Sequence, residues 1–219
     1  MRFLPLALSL AVFAAPAFPQ AAATANSGYK THEGRERVAQ SLNAGDRESK
    51  QRPKELIEVL GIKPGDTVVD LGTGVGYMLP YLSEAVGPKG KVLAEDIFDD
   101  FLTQAKQNAA KHSLTNVVFI KGTDRDPRLP ANSADLVMAL DSYHHFDYPA
   151  KMLAVIARSL HPGGRLAIID FYKAGFRDPA HIRLDQDGVI REVEANGFEL
   201  VHKQDHQPKV QYIAIFRKK

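Results

Sequence analysis

The stretch VVDLGTGVGY, Val68 to Tyr77, joins an apolar run to one aspartate and three alternating glycines. Gly72, Gly74 and Gly76 allow the backbone to turn sharply and to approach a ligand, with N–H groups exposed at a helix start. A dinucleotide fingerprint requires its third glycine where Tyr77 stands, and a phosphate-binding P-loop requires a lysine after the glycines. The spacing therefore disfavours both NAD and ATP.

Strands and helices alternate on both sides of this loop. The apolar pattern predicts helices that begin near Pro53, Val75, Asp100, Pro149 and Gln186, and strands over 67–71, 91–96, 116–122, 134–141 and 165–171. Two further strands, 198–204 and 210–218, have no crossover helix between them and should pair as a hairpin. We therefore predict an α/β fold: a Rossmann-like, doubly wound, seven-stranded mixed sheet, mostly parallel with an antiparallel C-terminal edge hairpin, and helices on both faces. A ligand of such a sheet lies outside the carboxyl ends of its strands.

The D-x-G-x-G-x-G pattern after the first strand resembles the cofactor loop of class I S-adenosylmethionine (SAM) methyltransferases, and the resemblance extends from Gln51 to Lys219. It implies that SAM is the cofactor and that its methionine end is held by the residues at this loop: Asp70, Gly72, Thr73, Gly74 and Gly76.

The ends of the next two strands complete the cofactor site that the resemblance implies. Asp96 would bind the ribose hydroxyls, since a carboxylate accepts two hydroxyl protons, and Glu95 is the alternative. Asp96 would otherwise serve as a charge at a helix N-terminus. Thr123 and Asp124 would lie beside the adenine, with Asp126 as the alternative.

The fourth strand ends in ALDSYHHFDYP, and in the family this end faces the transferable methyl group. Asp141 is a candidate for both cofactor contact and catalysis, and Tyr143 for substrate contact. His144 or His145 is the candidate general base, needed only if the acceptor loses a proton. Both histidines could instead be packing residues that bond to the backbone. No metal is expected, because adjacent residues on a strand or loop point apart and no third ligand is suitably spaced.

Two irregular segments would cover the mouth of the pocket, the one around AGDRESKQRP and the one around FYKAGFRDPAHIRL. Their polar side chains either contact the substrate or form ordinary solvated surface. The candidates are Arg47, Gln51, His181 and Arg183.

The N-terminus has the layout of a secretory signal peptide: Arg2, an apolar run, then small residues before possible cleavage after Ala17 or Ala23. We predict a signal peptide over 1–23, a polar arm over 24–50 and a methyltransferase domain over 51–219. This places the mature protein in the periplasm or outside the cell, without stable membrane association. That location conflicts with the cytosolic supply of SAM.

Composition narrows the possible partners. The net charge of +2 shows no basic surface for nucleic acid, and the absence of cysteine excludes disulfides, thiolate nucleophiles and cysteine metal sites. A small-molecule methyl acceptor is the expected partner. The alternatives are an exported protein that binds SAM without transferring its methyl group, and a protein-carboxyl methyltransferase, whose glycine loop is similar.

Overall fold

The computed structural model describes residues 21–219, so most of the predicted signal peptide lies outside the described residues. Seven α-helices occur within that range. They are α1 (His32–Leu42), α2 (Arg47–Gln51), α3 (Pro53–Leu60), α4 (Leu79–Val86), α5 (Asp99–Lys111), α6 (Pro149–Ser159) and α7 (Gln186–Ala195). None of the helices in residues 21–219 has the length and apolar content that a membrane crossing requires.

Seven strands form a single mixed sheet in the order β3-β2-β1-β4-β5-β7-β6. They are β1 (Thr67–Leu71), β2 (Lys91–Asp96), β3 (Val117–Lys121), β4 (Ala134–Leu140), β5 (Leu160–Phe171), β6 (Phe198–Gln207) and β7 (Gln211–Lys218). β1 to β5 pair in parallel, and β7 pairs antiparallel with both β5 and β6. The predicted fold class is confirmed, including the antiparallel hairpin at one edge.

Helices cover both faces of the sheet, and the central strands are apolar on both faces for that reason. Val68 of β1 packs in one cluster with Leu56 of α3, while Val69 packs in the other with Leu153 of α6. Successive side chains of a strand point to opposite faces, so one short strand anchors both layers. The chain leaves β1 outward through β2 and β3 and then crosses to β4. The strand order thus reverses between β1 and β4, where a ligand crevice is expected.

Residues 24–50 are more ordered than the predicted polar arm suggested. A 3-10 turn over Ala25–Tyr29 precedes α1, whose N-terminus is capped by Thr31 through a bond from the Gly34 N–H to its side chain. Within this segment Tyr29, Val38, Ala39 and Leu42 pack against Val75 and Phe101 of the main domain. The segment therefore lies on the glycine loop and forms part of the fold.

Two element boundaries differ from the prediction by four residues or more. Helix α4 begins at Leu79 and not near Val75, because the turn of the glycine loop continues to that point and the Asn108 side chain donates to the Gly76 carbonyl. Strand β5 begins at Leu160, upstream of Arg165, because the HPGG segment bulges within the ladder instead of ending it.

Candidate functional site

In the glycine loop, both the backbone conformation and the packing favour residues without a side chain. Gly72, Gly74 and Gly76 have φ values of +78°, +56° and +81°. A Cβ at Gly72 would lie 2.8 Å from the Ser142 Cβ, and one at Gly76 would lie 3.0 Å from the Ala105 Cα. Glycine is favoured at all three positions by the left-handed conformation, and at Gly72 and Gly76 also by the close approach of neighbouring elements.

A cavity of about 370 Å³ opens at the carboxyl ends of β1, β2 and β4. This volume falls in the range of small-molecule sites. Most of the predicted cofactor residues line it, namely Gly72, Thr73, Gly74, Asp96, Thr123, Asp124 and Asp141. Asp70 and Gly76 support the loop from behind the cavity wall.

Two of the acids are buried and hydrogen-bonded to the loop. Asp70 accepts a bond of 2.7 Å from the Thr73 hydroxyl. Asp96 accepts bonds of 2.9 Å from the Gly74 and Phe98 N–H groups. Burial raises the pKa of Asp70 and that of Asp96 to about 6, against the lowering effect of these bonds. Burial likewise raises the pKa of Glu95, the alternative to Asp96, which also lines the cavity.

Asp141 lies at the end of β4 with a φ of +53° and joins a polar network. Its carboxylate accepts from the side-chain amides of Gln51, at 2.6 Å, and of Gln211. Burial and then the Asp170 charge raise the pKa of Asp141 to about 6. The structure does not bring Gln51 to the cavity; it is buried and orients Asp141. Arg47 does line the cavity, and its guanidinium lies 4.4 Å from the centre of the Tyr77 ring.

The adjacent histidines lie on a 3-10 turn, Tyr143–His145. His144 is buried, and its Nδ1 lies 2.6 Å from Asp170 Oδ1. Burial acts to lower the pKa of His144, but the Asp170 carboxylate outweighs it and the pKa is raised. His145 lines the cavity, and burial and the two nearby histidines lower its pKa well below its ordinary value. His145 is thus the candidate base that reaches the cavity, and it is neutral at pH 7.

The reason for expecting no metal at these histidines is wrong on geometry. The 3-10 turn places the ring centroids of His144 and His145 4.1 Å apart, whereas a strand would direct the two rings to opposite sides. His181 comes from a distant segment and lies 5.1 Å from the His144 ring and 5.3 Å from the His145 ring, measured between centroids.

The remaining substrate candidates do not reach the cavity. Tyr143 is fully buried in the core and donates a bond of 2.7 Å to Glu192. Arg183 binds the same carboxylate with two N–H groups, at 2.6 and 2.9 Å. Arg183 and His181 line a separate cavity of about 180 Å³ beside residues 21–25. Tyr143 therefore holds α7 to the turn that follows β4, and Arg183 holds α7 to the segment that precedes it.

Comparison with known proteins agrees with this geometry. A family model described as a methyltransferase domain matches residues 62–214. The chain belongs to the methyltransferase domain family. Among solved structures, a SAM-dependent methyltransferase from Aquifex aeolicus has a TM-score of 0.77 and 29% identity, and the match covers 82% of this chain and 96% of that one. SAM is the cofactor that this family membership implies.

Curated relatives of this methyltransferase differ in what their names say they methylate. The ubiquinone/menaquinone biosynthesis C-methyltransferase UbiE of Ectopseudomonas mendocina is 30% identical over 120 residues, which cover 54% of this chain and 47% of the relative. The arsenite methyltransferase of Halobacterium salinarum is 31% identical over 127 residues, which cover 58% and 32%. The matches span about half or less of the length of these relatives. Family membership therefore leaves the acceptor of this methyltransferase open.

The N-terminal segment supplies cavity residues of the methyltransferase that sequence reasoning missed. Asn26 and Tyr29 both line the cavity and contact His145: the Asn26 Oδ1 lies 2.8 Å from Nδ1, and the Tyr29 hydroxyl 3.3 Å from Nε2. Upstream, the N–H groups of Ala21 and Ala22 donate to the backbone and side-chain oxygens of Asp147, another cavity residue. An aromatic residue within a polar stretch was the one sequence signal for these contacts.

Proposed function

We propose that this protein transfers a methyl group from SAM to a small-molecule acceptor in the cavity above β1 and β4. The observation that carries the proposal is a glycine loop beside three buried acids, Asp70, Asp96 and Asp141. Burial raises the pKa of each to about 6. A buried carboxylate is costly unless an opposite charge compensates it. SAM carries positive charge on its sulfonium and amino groups, so the cavity fits the cofactor electrostatically as well as sterically.

The predicted cofactor residues divide by the part of the cofactor that they would hold. Asp70 and the backbone from Gly72 to Gly76 would hold the methionine end. Asp96 would accept the ribose hydroxyls, since each of its oxygens keeps a lone pair beyond the backbone bond it already accepts. Thr123 and Asp124 would lie at the adenine. Of these two, Thr123 also fixes its own loop through a backbone bond of 2.9 Å from its N–H to the Asp126 carbonyl.

Catalysis by this chain would consist mainly of orientation. When bound, SAM supplies an electrophilic methyl group on a sulfonium. The protein must hold the acceptor atom opposite the departing sulfur, and such positioning alone lowers a barrier substantially. His145 is the side chain at the cavity that accepts a proton if the acceptor releases one, while His144 and Asp141 position the turn around it.

Three further features belong to the proposal. The small volume of the cavity favours a small molecule over a protein carboxyl group as acceptor. The predicted signal peptide supports export to the periplasm, and mass spectrometry of the mature N-terminus in cell fractions tests it. SAM binding without methyl transfer is the alternative function, and it is favoured if the mature protein works where SAM is scarce.

The cofactor site is tested by Gly74→Val with SAM titrated calorimetrically. A side chain at Gly74 meets only the flexible end of Leu42, at 3.0 Å, so the fold tolerates it while the valine projects at the cavity wall. Gly61→Val is the matched control: Gly61 has a φ of +59°, close to the +56° of Gly74, and ends α3 outside the cavity. Both variants carry the same left-handed strain.

We expect Gly61→Val to bind SAM as the unmodified protein does and Gly74→Val to lose binding. Equal affinity in both variants would mean that SAM binds elsewhere or not at all. Incubation of the unmodified protein with methyl-labelled SAM and small-molecule extracts then separates transfer from binding. Label in a low-mass product supports transfer, label in protein supports the carboxyl alternative, and binding without label supports the non-transferring one.

A further inference from the structure

We propose that His144, His145 and His181 form a binding site for a divalent transition metal ion, with Zn²⁺ as the best match. One ring nitrogen from each of the three lies within 4.8 Å of the others. It is the one cluster of its kind found within residues 21–219. A metal on His145 Nε2 would occupy the lone pair that the proposed function assigns to a general base, so the two roles are alternatives for that ring.

The separation of the rings is close to what a metal requires. Zinc binds imidazole nitrogens at about 2.0–2.1 Å, which places two tetrahedral ligands about 3.4 Å apart. The nitrogens, which lie within 4.8 Å of one another, must therefore approach by at most about 1.4 Å. His144 is fixed, but His181 is only partly buried and lies in the irregular segment between the 3-10 turn Lys173–Gly175 and α7. Adjustment of His181 can therefore bring its nitrogen closer to the other two.

The partners of His144 are those of a metal ligand. Its Nδ1 bonds to Asp170, a carboxylate that is 1% exposed and that also accepts from the His144 backbone N–H at 3.0 Å. This bond fixes the ring orientation and leaves Nε2 as the free ligand atom. A carboxylate that orients the opposite nitrogen of a ligating histidine is the usual outer partner in such sites.

The other two rings are also prepared for coordination. The His145 ring centroid lies 4.1 Å from that of His144 and 5.3 Å from that of His181, so all three rings can direct a nitrogen to one point between them. The contact from the Tyr29 hydroxyl to His145 Nε2 is the longer of the two that this ring makes, at 3.3 Å against 2.8 Å to Asn26. A metal would displace that longer contact and retain the shorter one.

The ligand set selects the kind of metal. Imidazole nitrogens suit Zn²⁺, Cu²⁺ and Ni²⁺, whereas Mg²⁺ and Ca²⁺ require oxygen ligands. Three protein ligands leave one tetrahedral position open, as in catalytic rather than structural zinc sites. Since His145 also lines the main cavity, that position is available to an oxygen or nitrogen atom of a small molecule bound there.

The main alternative is an aromatic packing cluster without metal. The His181 ring stacks on Phe176 at 4.9 Å and 12°, and Phe176 lies in turn 4.8 Å from Phe171. A substitution that keeps an aromatic ring at this position but removes the nitrogens separates the two explanations. His181→Phe is that substitution.

The test is calorimetric titration of Zn²⁺ into the full chain, prepared without a polyhistidine tag and stripped with a chelator. We expect one site per chain, no heat of binding with Mg²⁺, and at least a hundredfold loss of Zn²⁺ affinity in both His181→Phe and His181→Ala. His202→Ala, an exposed histidine on β6, should bind as the unmodified protein does. Asp170→Asn should weaken binding about 10- to 100-fold, the effect typical of outer partners.

Cobalt provides a readout that structural damage does not imitate. Bound Co²⁺ should show the visible absorption of a tetrahedral nitrogen site, and the band should be absent in His181→Phe while circular dichroism remains unchanged. The proposal is overturned if Zn²⁺ binds no site at micromolar concentrations, or if His181→Phe binds Zn²⁺ as tightly as the unmodified protein.

Discussion

Replacing Asp70 with asparagine should stabilise the protein and weaken its hold on SAM. Asp70 is 3% exposed, and burial raises its pKa from 3.8 to about 6. A raised carboxyl pKa means that the native state binds the proton more tightly than the unfolded chain does. This tighter proton binding by Asp70 contributes fully to stability below pH 3.8, and the contribution is lost as the pH rises through about 6.

The size of the effect follows from that shift. About two pKa units correspond to roughly 3 kcal/mol of destabilisation at pH 7. The asparagine oxygen still accepts from the Thr73 hydroxyl, but its amide nitrogen is desolvated, which leaves a net gain of about 2 kcal/mol. For a protein of this size the melting temperature should rise by roughly 4–8 °C.

Thermal melts of the unliganded protein at pH 7 and pH 4.5 test the reasoning. At pH 4.5 Asp70 is mostly protonated in the native state, so only about a third of the 3 kcal/mol remains. This is roughly the cost of desolvating the amide nitrogen, so the net gain should almost vanish. Asp99→Asn is the control, since that side chain is 85% exposed and should give a small change that does not grow at pH 7. SAM affinity of Asp70→Asn should fall at least tenfold through loss of the charge. A stabilisation that is equal at the two pH values, or a destabilisation at pH 7, would refute the conclusion that the buried Asp70 carboxylate destabilises the native state.

Three other outcomes are expected. Tyr143→Phe should lower the free energy of unfolding by about 1–2 kcal/mol, because Glu192 loses a buried donor, yet leave the SAM Kd unchanged; urea titration and calorimetry measure the two quantities. Gln51→Ala should cost about 2 kcal/mol by removing a donor from the Asp141 carboxylate, and Gln51→Glu should be worse because it brings a second acid to Asp141. The Kd for SAM should fall as the pH rises through about 6 and level off above pH 7. Burial raises the pKa values of Asp96 and Asp141 to about 6, and a cationic ligand favours their charged forms. A Kd independent of pH between 5 and 8 would contradict this.

Local patterns were sufficient to predict the fold and the backbone turn of the glycine loop. Short apolar runs that end in an acid, such as the one at Asp70, mark parallel strands whose carboxyl ends meet at one edge of the sheet. The glycines of the loop need no partner from elsewhere in the chain to reveal a backbone conformation. These features are encoded within a few residues, which is why they could be predicted.

Contacts between distant segments were not predictable in this way. Asn26 and His145 are 119 residues apart, and neither carries a periodic signal that points to the other. The direction of Tyr143 depends on a 3-10 turn, where a shift of one residue decides between core and cavity. His181 lies in a segment without regular structure, so only the three-dimensional fold shows that its ring joins the other two histidines.

The bonds from Ala21 and Ala22 to Asp147 lie inside the stretch where signal processing is predicted. Cleavage after Ala17 would preserve both bonds, whereas cleavage after Ala23 would remove their donors and leave the Asp147 side chain at an open rim. If the signal peptide is processed there, maturation of the N-terminus and access to the cavity would be coupled through Asp147. Two peptidase products that differ by six residues would differ in how freely small molecules enter and leave.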